Sequence, residues 1–238
     1  MNKIFLYLKF SLKALLLQPT PTTLKGIFNY YQLWNAHLGN GKNSVTDRQP
    51  WMAFGAIDFL RNRITKSMKV FEYGSGGSTL FWAERAAKVI SVEHHEGWYL
   101  QMQQELINRS ITNVEYNFIP GKHANNIDKN HFEDPEAYLS ADESTSDLNF
   151  KEYVQAIDAY PPEYFDIVIV DGRSRPSCIK HALPKIIKGG FLVVDNSERS
   201  YYLRPFTFNP DKWRKWTFNG PVPYNFHFSQ TTILQKIK

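Results

Sequence analysis

The residues best able to do chemistry stand in a glycine-rich run and shortly after it. Gly74, Gly76 and Gly77 follow a short apolar stretch, and a second apolar stretch about twenty residues later ends in Glu93. A glycine turn lets a ligand approach the backbone closely, and an acid at the tip of the next strand accepts both hydroxyls of a ribose. The pattern therefore predicts a site for an adenosine-containing cofactor.

The residues around this turn discriminate among such cofactors. A dinucleotide-binding turn has a third glycine where this chain has Thr79, and a phosphate-binding loop needs a Gly-Lys-Ser/Thr sequence that the run lacks. Glu72, two residues before Gly74, would repel a pyrophosphate and suits a cationic ligand. A nicotinamide-dependent oxidoreductase is therefore a disfavoured alternative.

The acid-x-Gly-x-Gly pattern of residues 72–76, with Glu93 after the second strand, resembles the first motif and the ribose-binding acid of class I S-adenosylmethionine-dependent methyltransferases. The resemblance covers roughly residues 50–238. It implies an enzyme of the EC 2.1.1 class, with Glu72 near the methionine end of the cofactor. The residues implied to bind S-adenosylmethionine are Glu72, Gly74, Ser75, Gly76, Gly77, Ser78, Glu93 and His94.

Further acids follow two later apolar stretches. Asp171 ends one of them, and Asp195 with Asn196 ends the next. Three oxygen ligands near one strand edge would suit Mg²⁺. The arrangement is similar to the metal-dependent O-methyltransferases of the catechol and caffeoyl-coenzyme A type, which implies a metal that holds the acceptor and lowers the pKa of its hydroxyl. Without a metal, Asp171 would cap a helix or orient substrate, and Asp195-Asn196 would cap the last helix.

The general base is not identified by the sequence. The catechol-type family has a lysine three residues after its first metal-binding Asp, and this chain has Ser174 there, between two arginines that are poor proton acceptors. The catalytic candidates are Asp171 and His181, the latter two to three turns along the following helix, with His123 as a further option. The arginines near these acids either hold an anionic substrate group or are helix-surface charges; they are Arg173, Arg175 and Arg199.

The elements that position these residues alternate along the chain. Strands are predicted near 69–73, 88–93, 113–119, 165–170 and 191–194, with helices between them at 78–87, 96–109, 150–159 and 176–187. This alternation predicts an α/β fold with a doubly wound, mostly parallel, Rossmann-like sheet that binds ligands at the carboxyl ends of its strands. Two more strands, near 213–219 and 228–236, are predicted to form a C-terminal antiparallel pair. Residues 122–149 are a polar segment, and its acidic part, residues 128–147, is predicted to be a solvated, mobile insertion or, alternatively, to bind a cation or gate the site.

The chain is predicted to comprise an N-terminal helical extension, residues 1–49, and a cofactor-binding domain, residues 50–238. Residues 4–17 are apolar but are interrupted by Lys9 and Lys13, so they are too short and too charged for a membrane span. No small-residue cleavage site precedes Gln18, which disfavours a signal peptide. This helix either packs on the domain or on another subunit of a homo-oligomer, or makes peripheral contact with a membrane through residues 1–17.

Composition limits the partners. The formal net charge is +5, but no dense basic run with interleaved aromatic residues is present, so nucleic acid is not a predicted partner. The single cysteine, Cys178, rules out an internal disulfide framework and fits a reducing, cytoplasmic location, with the membrane periphery as a variant.

The sequence is therefore interpreted as an S-adenosylmethionine-dependent methyltransferase that methylates a hydroxyl of a small molecule or glycan, with metal assistance left open. Residues 71–82 together with 91–94 and 98–99 resemble uncharacterised bacterial methyltransferases of polysaccharide gene clusters, which implies a sugar hydroxyl as acceptor. The main alternative is a cofactor-binding or scaffold protein that has lost catalysis, because no base is identified.

Overall fold

The structure is a computed structural model that describes residues 3–39, 41–124 and 128–238. Its centre is a seven-stranded sheet, and a two-stranded ribbon lies apart from that sheet. In chain order the strands are β1 (Lys69–Tyr73), β2 (Lys88–Glu93), β3 (Val114–Phe118), β4 (Lys122–His123), β5 (Leu148–Asn149), β6 (Phe165–Val170), β7 (Ile186–Val194), β8 (Trp213–Gly220) and β9 (Ser229–Lys236).

The α-helices flank this sheet and precede it. In chain order they are α1 (Lys3–Leu17), α2 (Pro21–His37), α3 (Ser44–Asp47), α4 (Phe54–Arg61), α5 (Gly77–Ala83), α6 (Glu96–Asn108), α7 (Lys151–Gln155) and α8 (Arg175–Ala182). Helix α2 begins at Pro21 because the side chain of Thr20 accepts a hydrogen bond from the backbone N–H of Thr23, which caps the first turn. No helix of the described residues is long and apolar enough to cross a membrane.

The strand order of the large sheet is β3-β2-β1-β6-β7-β9-β8. Strands β3, β2, β1, β6 and β7 pair in parallel, and β9 pairs antiparallel with both β7 and β8. The prediction of a doubly wound, mostly parallel sheet with a C-terminal antiparallel pair is confirmed. The carboxyl ends of β1, β2, β6 and β7 therefore meet at one edge of the sheet, which we call the carboxyl edge.

Alternate side chains of each strand enter two different cores. Val70, Ile167 and Val193 face α4, α5 and the N-terminal helices, whereas Phe71 and Val168 face α7 and α8. Because side chains alternate across a strand, a parallel sheet covered on both faces needs continuous apolar strands. This explains why the buried strands read as mostly apolar runs, with Glu72 in β1 and Ser91 in β2 as buried polar exceptions.

The N-terminal helices contribute to the first of these cores. Tyr7 of α1 and Ile27 and Trp34 of α2 are buried in it. The indole N–H of Trp34 donates to the backbone oxygen of Asn225, 2.9 Å away, and Tyr7 donates its hydroxyl proton to the backbone oxygen of Ile27. The inner faces of α1 and α2 are therefore held by packing against the sheet.

The helix predicted at 176–187 is shorter than expected. It ends at Ala182 and continues as a 3₁₀ turn at Leu183–Lys185, because Pro184 has no backbone N–H to extend the helix. Gly189 and Gly190, which follow the predicted helix, lie inside β7, where Gly189 has a φ of +86° and the pairing with β6 shifts register. The extra residues between Ile186 and Phe191 thus form a bulge rather than a helix end.

The polar segment 122–149 packs against the body of the protein, with residues 125–127 lying outside the described residues. Leu139 is buried, and Asp142 forms an ion pair with Arg173 at 3.0 Å. Glu136 pairs with Lys180 of α8. The segment therefore packs along α8, from Arg173 just before the helix to Lys180 in its last turn, and its role as a gate stays a prediction.

Candidate functional site

The glycine turn after β1 brings two strand ends into backbone contact. Gly74 has a φ of +89°, and a Cβ there would lie 3.0 Å from the nitrogen of Gly172, which follows β6. A side chain at Gly74 would thus be strained by its φ and crowded by the neighbouring loop. The close approach of these two loops is what the glycine at 74 permits.

Glu72 supports this turn from inside the protein. Its carboxylate is fully buried and accepts hydrogen bonds from the hydroxyls of Thr79 and Ser91, at 2.6 and 2.8 Å, and from the indole N–H of Trp82 at 3.0 Å. Burial raises the pKa of Glu72 to about 7, although these donors and Ser78 oppose the shift. The carboxylate oxygens of Glu72 are directed at donors within the fold, and its predicted place near the methionine end of the cofactor stays a prediction.

Thr79 explains why the third glycine of a dinucleotide turn is absent. Its hydroxyl donates to Glu72 and accepts the backbone N–H of Gly76 at 3.0 Å. The hydroxyl thus links the buried carboxylate to the turn backbone, which a glycine at 79 could not do.

Glu93, at the end of β2, differs from Glu72 in that its pKa is lowered rather than raised. One of its oxygens accepts from the N–H and the hydroxyl of Ser75, at 3.0 and 2.9 Å, and the other accepts from the backbone N–H groups of His94 and His95, both at 2.8 Å. Burial alone would raise the pKa of Glu93, but the hydrogen bonds from His94, His95 and Ser75 outweigh it and lower the pKa to about 2. The carboxylate is therefore ionised at neutral pH and lies beside the glycine turn.

Aromatic side chains surround Ser75 and were not singled out as site residues by the sequence. The hydroxyl of Tyr116 lies 2.7 Å from that of Ser75, and the indole N–H of Trp98 donates to the Ser75 backbone oxygen at 2.7 Å. A Cβ at Gly76 would lie 3.6 Å from the ring of Trp98. The available signal was an aromatic residue in the first turn of the helix after β2.

Gly77 has a packing role in this structure. A Cβ at this position would lie 1.9 Å from the backbone oxygen of Ser44, at the start of α3. The contact between α5 and Ser44 is thus one reason for a glycine at position 77, and its contact with the cofactor stays a prediction.

His94 is half-buried and stays close to Glu93. Its Nδ1 lies 2.9 Å from a Glu93 oxygen, and its ring centroid is 6.0 Å from that of Tyr153. The hydroxyl of Tyr153 is buried and has no hydrogen-bond partner within the described residues. A Cβ at Gly172 would lie 1.9 Å from that hydroxyl, so Tyr153 closes the space behind the two strand-end loops.

Arg175 occupies the space between β6 and β7 at the carboxyl edge. Its guanidinium is 6 % exposed and contacts an Asp171 carboxylate oxygen at 3.0 Å, the Gly172 backbone oxygen at 3.0 Å and the Asp195 backbone oxygen at 2.5 Å. Burial raises the pKa of Asp171, and Arg175 opposes that shift. The sequence analysis predicted that Arg175 either binds an anionic substrate group or is a helix-surface charge. In the structure it is a buried cation that contacts the ends of two strands.

Asp195 and Asn196 are bonded to each other and to β9. One Asp195 oxygen accepts from the Thr231 hydroxyl at 2.5 Å and the other from the side-chain amide of Asn196 at 3.0 Å. The same amide donates to the hydroxyl of Ser229. No α-helix follows these residues, only a 3₁₀ turn at Ser200–Tyr202, so the alternative in which they cap a last helix is wrong.

The three predicted metal ligands do come together, in a cavity of about 400 Å³ at the carboxyl edge. Asp171, Asp195, Asn196 and Arg199 line this cavity, and Trp51 lines it from the N-terminal segment. The donor set does not fit a divalent cation, because both Asp195 oxygens already accept hydrogen bonds and a buried guanidinium pairs with Asp171. In residues 3–39, 41–124 and 128–238, no group of three His, Cys, Asp or Glu side chains is arranged to hold a metal ion.

The two histidines proposed as bases are placed elsewhere. His181 lies near the end of α8, about 9 Å along the helix axis from Arg175, and its Nδ1 is 2.7 Å from a carboxylate oxygen of Asp158. His123 is exposed and pairs with Asp147. Neither histidine lines the cavity that contains Asp171. Of the catalytic candidates predicted from the sequence, Asp171 lines this cavity and His181 does not; His227, which the sequence analysis did not single out, also lines it.

The residues at the turn fit an adenosine cofactor. An ionised carboxylate at the tip of β2 can accept ribose hydroxyls, and the rotatable Ser75 hydroxyl, which now donates to it, can give way to them. The unpartnered Tyr153 hydroxyl lies behind Gly172, where the β1 and β6 loops meet. The tip of β2 beside the glycine turn therefore suits the ribose of such a cofactor.

Three solved structures show what this fold is similar to. An rRNA methylase from Streptococcus thermophilus has a TM-score of 0.53 at 16% identity, over 76% of this chain and 93% of that chain. The O-methyltransferase TomG from Streptomyces achromogenes, in complex with SAM, has a TM-score of 0.55 at 13% identity, over 88% and 96% of the two chains. An O-methyltransferase from Bacillus cereus, in complex with SAH, has a TM-score of 0.51 at 12% identity, over 89% and 90%.

These similarities establish the fold. No protein-family model matches the sequence, and no curated protein matches it. At 12% to 16% identity the neighbours share the course of the chain, which is the class I methyltransferase fold predicted from the turn and Glu93.

Proposed function

We propose that this chain, which has the class I methyltransferase fold, transfers a methyl group from S-adenosylmethionine to a hydroxyl oxygen of a small molecule or glycan. The observation that carries the proposal is the ionised Glu93 carboxylate at the tip of β2, directly beside the Gly74-Ser75-Gly76 turn. Neighbours of the same fold were solved with SAM or SAH, which supports the same cofactor here.

The cofactor supplies a methyl group carried on a positively charged sulfur, and the chain must bind it, orient the acceptor and take up a proton. Glu93 and the backbone of residues 74–76 hold the adenosine end in this proposal. Asp171 lies where β6 approaches the β1 turn and lines the cavity of about 400 Å³. Because burial raises the pKa of Asp171, its carboxylate is a better proton acceptor than an exposed one, and it is proposed to orient the acceptor hydroxyl and receive its proton.

Metal assistance is not part of the proposal. In the catechol-type arrangement a cation would neutralise the acids at the strand ends, and here the Arg175 guanidinium lies between the β6 and β7 ends and neutralises Asp171. The side-chain amide nitrogen of Asn196 donates to Asp195. A metal ligand would instead direct its amide oxygen toward the cation. Arg175 is thus proposed to replace the cation as a fixed charge.

The size of the cavity supports a small acceptor. A volume of about 400 Å³ lies in the range of sites for small molecules and suits one or two sugar units. The weak resemblance to methyltransferases of polysaccharide gene clusters supports a sugar hydroxyl. O-methyltransferases and an rRNA methylase both occur among the structural neighbours, so the fold itself does not select the acceptor.

Calorimetry with S-adenosylhomocysteine tests the cofactor assignment. Glu93→Gln should weaken binding by about 1–3 kcal/mol, because ribose hydroxyls lose a charged acceptor. Glu96→Gln, which removes an exposed carboxylate three residues further on, is the matched control and should bind normally. Circular dichroism of both variants checks that they are folded.

Two outcomes would contradict the assignment. Full affinity of folded Glu93→Gln would remove Glu93 from the ribose site. Tight binding of NADH with no binding of S-adenosylhomocysteine would favour the oxidoreductase alternative, whereas cofactor binding without turnover on any hydroxyl acceptor would favour the inactive scaffold.

A further inference from the structure

A second cavity, of about 380 Å³, is lined by Arg175 and by Gly172, which lies close to the end of β6. We call it the arginine cavity; its lining includes Phe132, Asp142, Arg173, Ser174, Arg199 and Tyr202. Arg199 also lines the cavity that contains Asp171, so the two cavities are neighbours. The acidic segment supplies the outer wall through Phe132 and Asp142.

Two buried donors of this cavity have no partner within the described part of the chain. They are the hydroxyl of Ser174 and the Nε of Arg173. Ser174 is 2% exposed and stands at the N-cap of α8 with a φ of +50°, and its side chain makes no capping hydrogen bond. A buried polar group without a partner is costly, so two of them lining one cavity indicate a ligand that accepts hydrogen bonds.

The charges around the cavity favour an anion. Arg173 pairs with Asp142, and Arg175 pairs with Asp171. Arg199 donates to the hydroxyl of Tyr202 at 2.9 Å and forms no ion pair with any described residue. Glu143 also lines the cavity, but its side chain is exposed to solvent.

The start of α8 adds backbone donors to this set. The first N–H groups of a helix lack partners within the helix, and the helix dipole favours negative charge there. Pro176 removes one of these donors, which makes the Ser174 hydroxyl and the Arg173 Nε more important for satisfying a bound oxyanion. The position of Ser174, three residues after Asp171, is the one that holds a lysine in the catechol-type family.

We propose that the arginine cavity binds an oxyanion group of the acceptor, a phosphate or a carboxylate, while the acceptor hydroxyl lies at Asp171. The substrate class would then be a phosphorylated or acidic sugar or a comparable small anionic molecule. The placement of the acceptor hydroxyl at Asp171 rests on the proposed function. The anion site does not, because it is argued from the hydrogen-bond donors that line the arginine cavity. The Arg199 guanidinium, which borders both cavities, would bind the anion from the side of the reacting hydroxyl.

The test is an NMR titration of the ¹⁵N-labelled full chain with inorganic phosphate and, separately, with acetate at constant ionic strength. We expect saturable shifts of the Nε–H signals of Arg173 and Arg199 and of the first amides of α8. Arg199→Gln should raise the dissociation constant at least about tenfold, because a charge-assisted hydrogen bond is lost. Ser174→Ala should raise it a few-fold.

Arg214→Gln is the matched control, since Arg214 is exposed on β8 at the end of the sheet opposite the carboxyl edge. Saturation by phosphate alone would identify a phosphorylated acceptor, and saturation by acetate alone or by both would identify a carboxylate or a general oxyanion site. Shifts that do not saturate, or that are the same in Arg199→Gln as in the wild type, would overturn the proposal.

The same samples titrated with S-adenosylhomocysteine separate the two proposals. Normal anion binding without any cofactor binding would remove the proposed function and leave the anion site. Normal cofactor binding without anion binding would remove the anion site and leave the proposed function.

Discussion

Two glutamates at the glycine turn have the same side chain and opposite protonation behaviour. Glu72 and Glu93 are both buried, yet the pKa of Glu72 is raised to about 7 and that of Glu93 is lowered to about 2. Glu93 accepts backbone N–H groups and faces a histidine, whereas the donors of Glu72 are an indole and uncharged hydroxyls that do not offset its burial. The carboxyl group of Glu72 is thus bonded within the interior, whereas the Glu93 carboxylate is ionised beside the glycine turn, where it is proposed to bind the ribose.

The raised pKa of Glu72 predicts a pH dependence of stability. Below pH 4.5 Glu72 is protonated in both states, and between pH 4.5 and about 7 the folded state holds the proton more tightly than the unfolded chain. Its contribution to the free energy of unfolding is therefore lost as the pH rises, by on the order of 3 kcal/mol over that range.

Denaturant unfolding of wild type and Glu72→Gln at pH 4.5 and pH 7.5 measures this effect. The free energy of unfolding of the wild type, relative to Glu72→Gln, should fall with increasing pH, because glutamine does not ionise. Glu96→Gln provides the comparison for an exposed carboxyl. A constant difference between wild type and Glu72→Gln would show that Glu72 has an ordinary pKa in the folded state.

At the scale of elements, α1 has two distinct faces. Leu6, Tyr7 and Ala14 are buried against the protein, while Phe5, Leu8, Leu12 and Leu16 expose between 61% and 76% of their surface. Lys9 and Lys13 are exposed beside this apolar face. The first 46 residues contain five lysines and no acidic residue, so charge complementarity favours an anionic surface as the partner of this face.

The contact of residues 1–17 with a membrane stays a prediction, and the structure sharpens its test. Truncation of α1 would remove Tyr7 from the core, so substitutions on the exposed face are the better variants. Co-sedimentation with anionic phosphatidylglycerol vesicles should exceed that with neutral phosphatidylcholine vesicles and should weaken with salt.

Lys9→Glu combined with Lys13→Glu should reduce this recovery at least about tenfold, since each lysine contributes about 1 kcal/mol near an anionic leaflet. Lys212→Glu combined with Lys215→Glu, two exposed lysines at the start of β8, controls for net charge. Equal recovery on both lipids would refute membrane contact. A loss of oligomer in Leu8→Ser would then support the homo-oligomer alternative.

At the scale of the whole molecule, the charges at the carboxyl edge come from distant parts of the chain. Asp171 and Arg175 flank the end of β6, Asp195 ends β7, and Thr231 of β9 donates to Asp195. Only the parallel pairing of β6 and β7 and the antiparallel addition of β9 bring these groups together. The fold thus supplies a fixed internal cation beside Asp171, one of the predicted metal ligands.

This arrangement predicts turnover that does not need a divalent cation. Conversion of S-adenosylmethionine to S-adenosylhomocysteine, with phosphorylated or acidic sugars as candidate acceptors, should be unchanged after dialysis against excess chelator. Asp171→Asn should lower kcat by roughly a hundredfold to ten-thousandfold, because it removes the proposed proton acceptor. Loss of activity in chelator and its recovery with Mg²⁺ would restore the metal as part of the site.

The local pattern of the sequence determined most strands of the large sheet, the glycine turn and the acids at the strand tips, but not the start of β7 or the ribbon of β4 and β5. These features depend on neighbours within a few residues: apolar runs for β1 and β6, glycine at a turn with positive φ, and an acid where a strand ends. Their positions at the carboxyl edge follow from parallel pairing alone, which is why Glu93, Asp171 and Asp195 could be identified as candidates before any coordinates existed.

Tertiary contacts decided what those residues do. Nothing near Glu72 in the sequence indicates that Trp82 and Ser91 would surround its carboxylate, and Gly77 is required by an oxygen thirty-three residues earlier, that of Ser44. Likewise, the pairing of β6 with β7 places Arg175 between two acids. Burial and long-range hydrogen bonds set pKa values and available lone pairs, and these depend on which distant segments pack together rather than on local spacing.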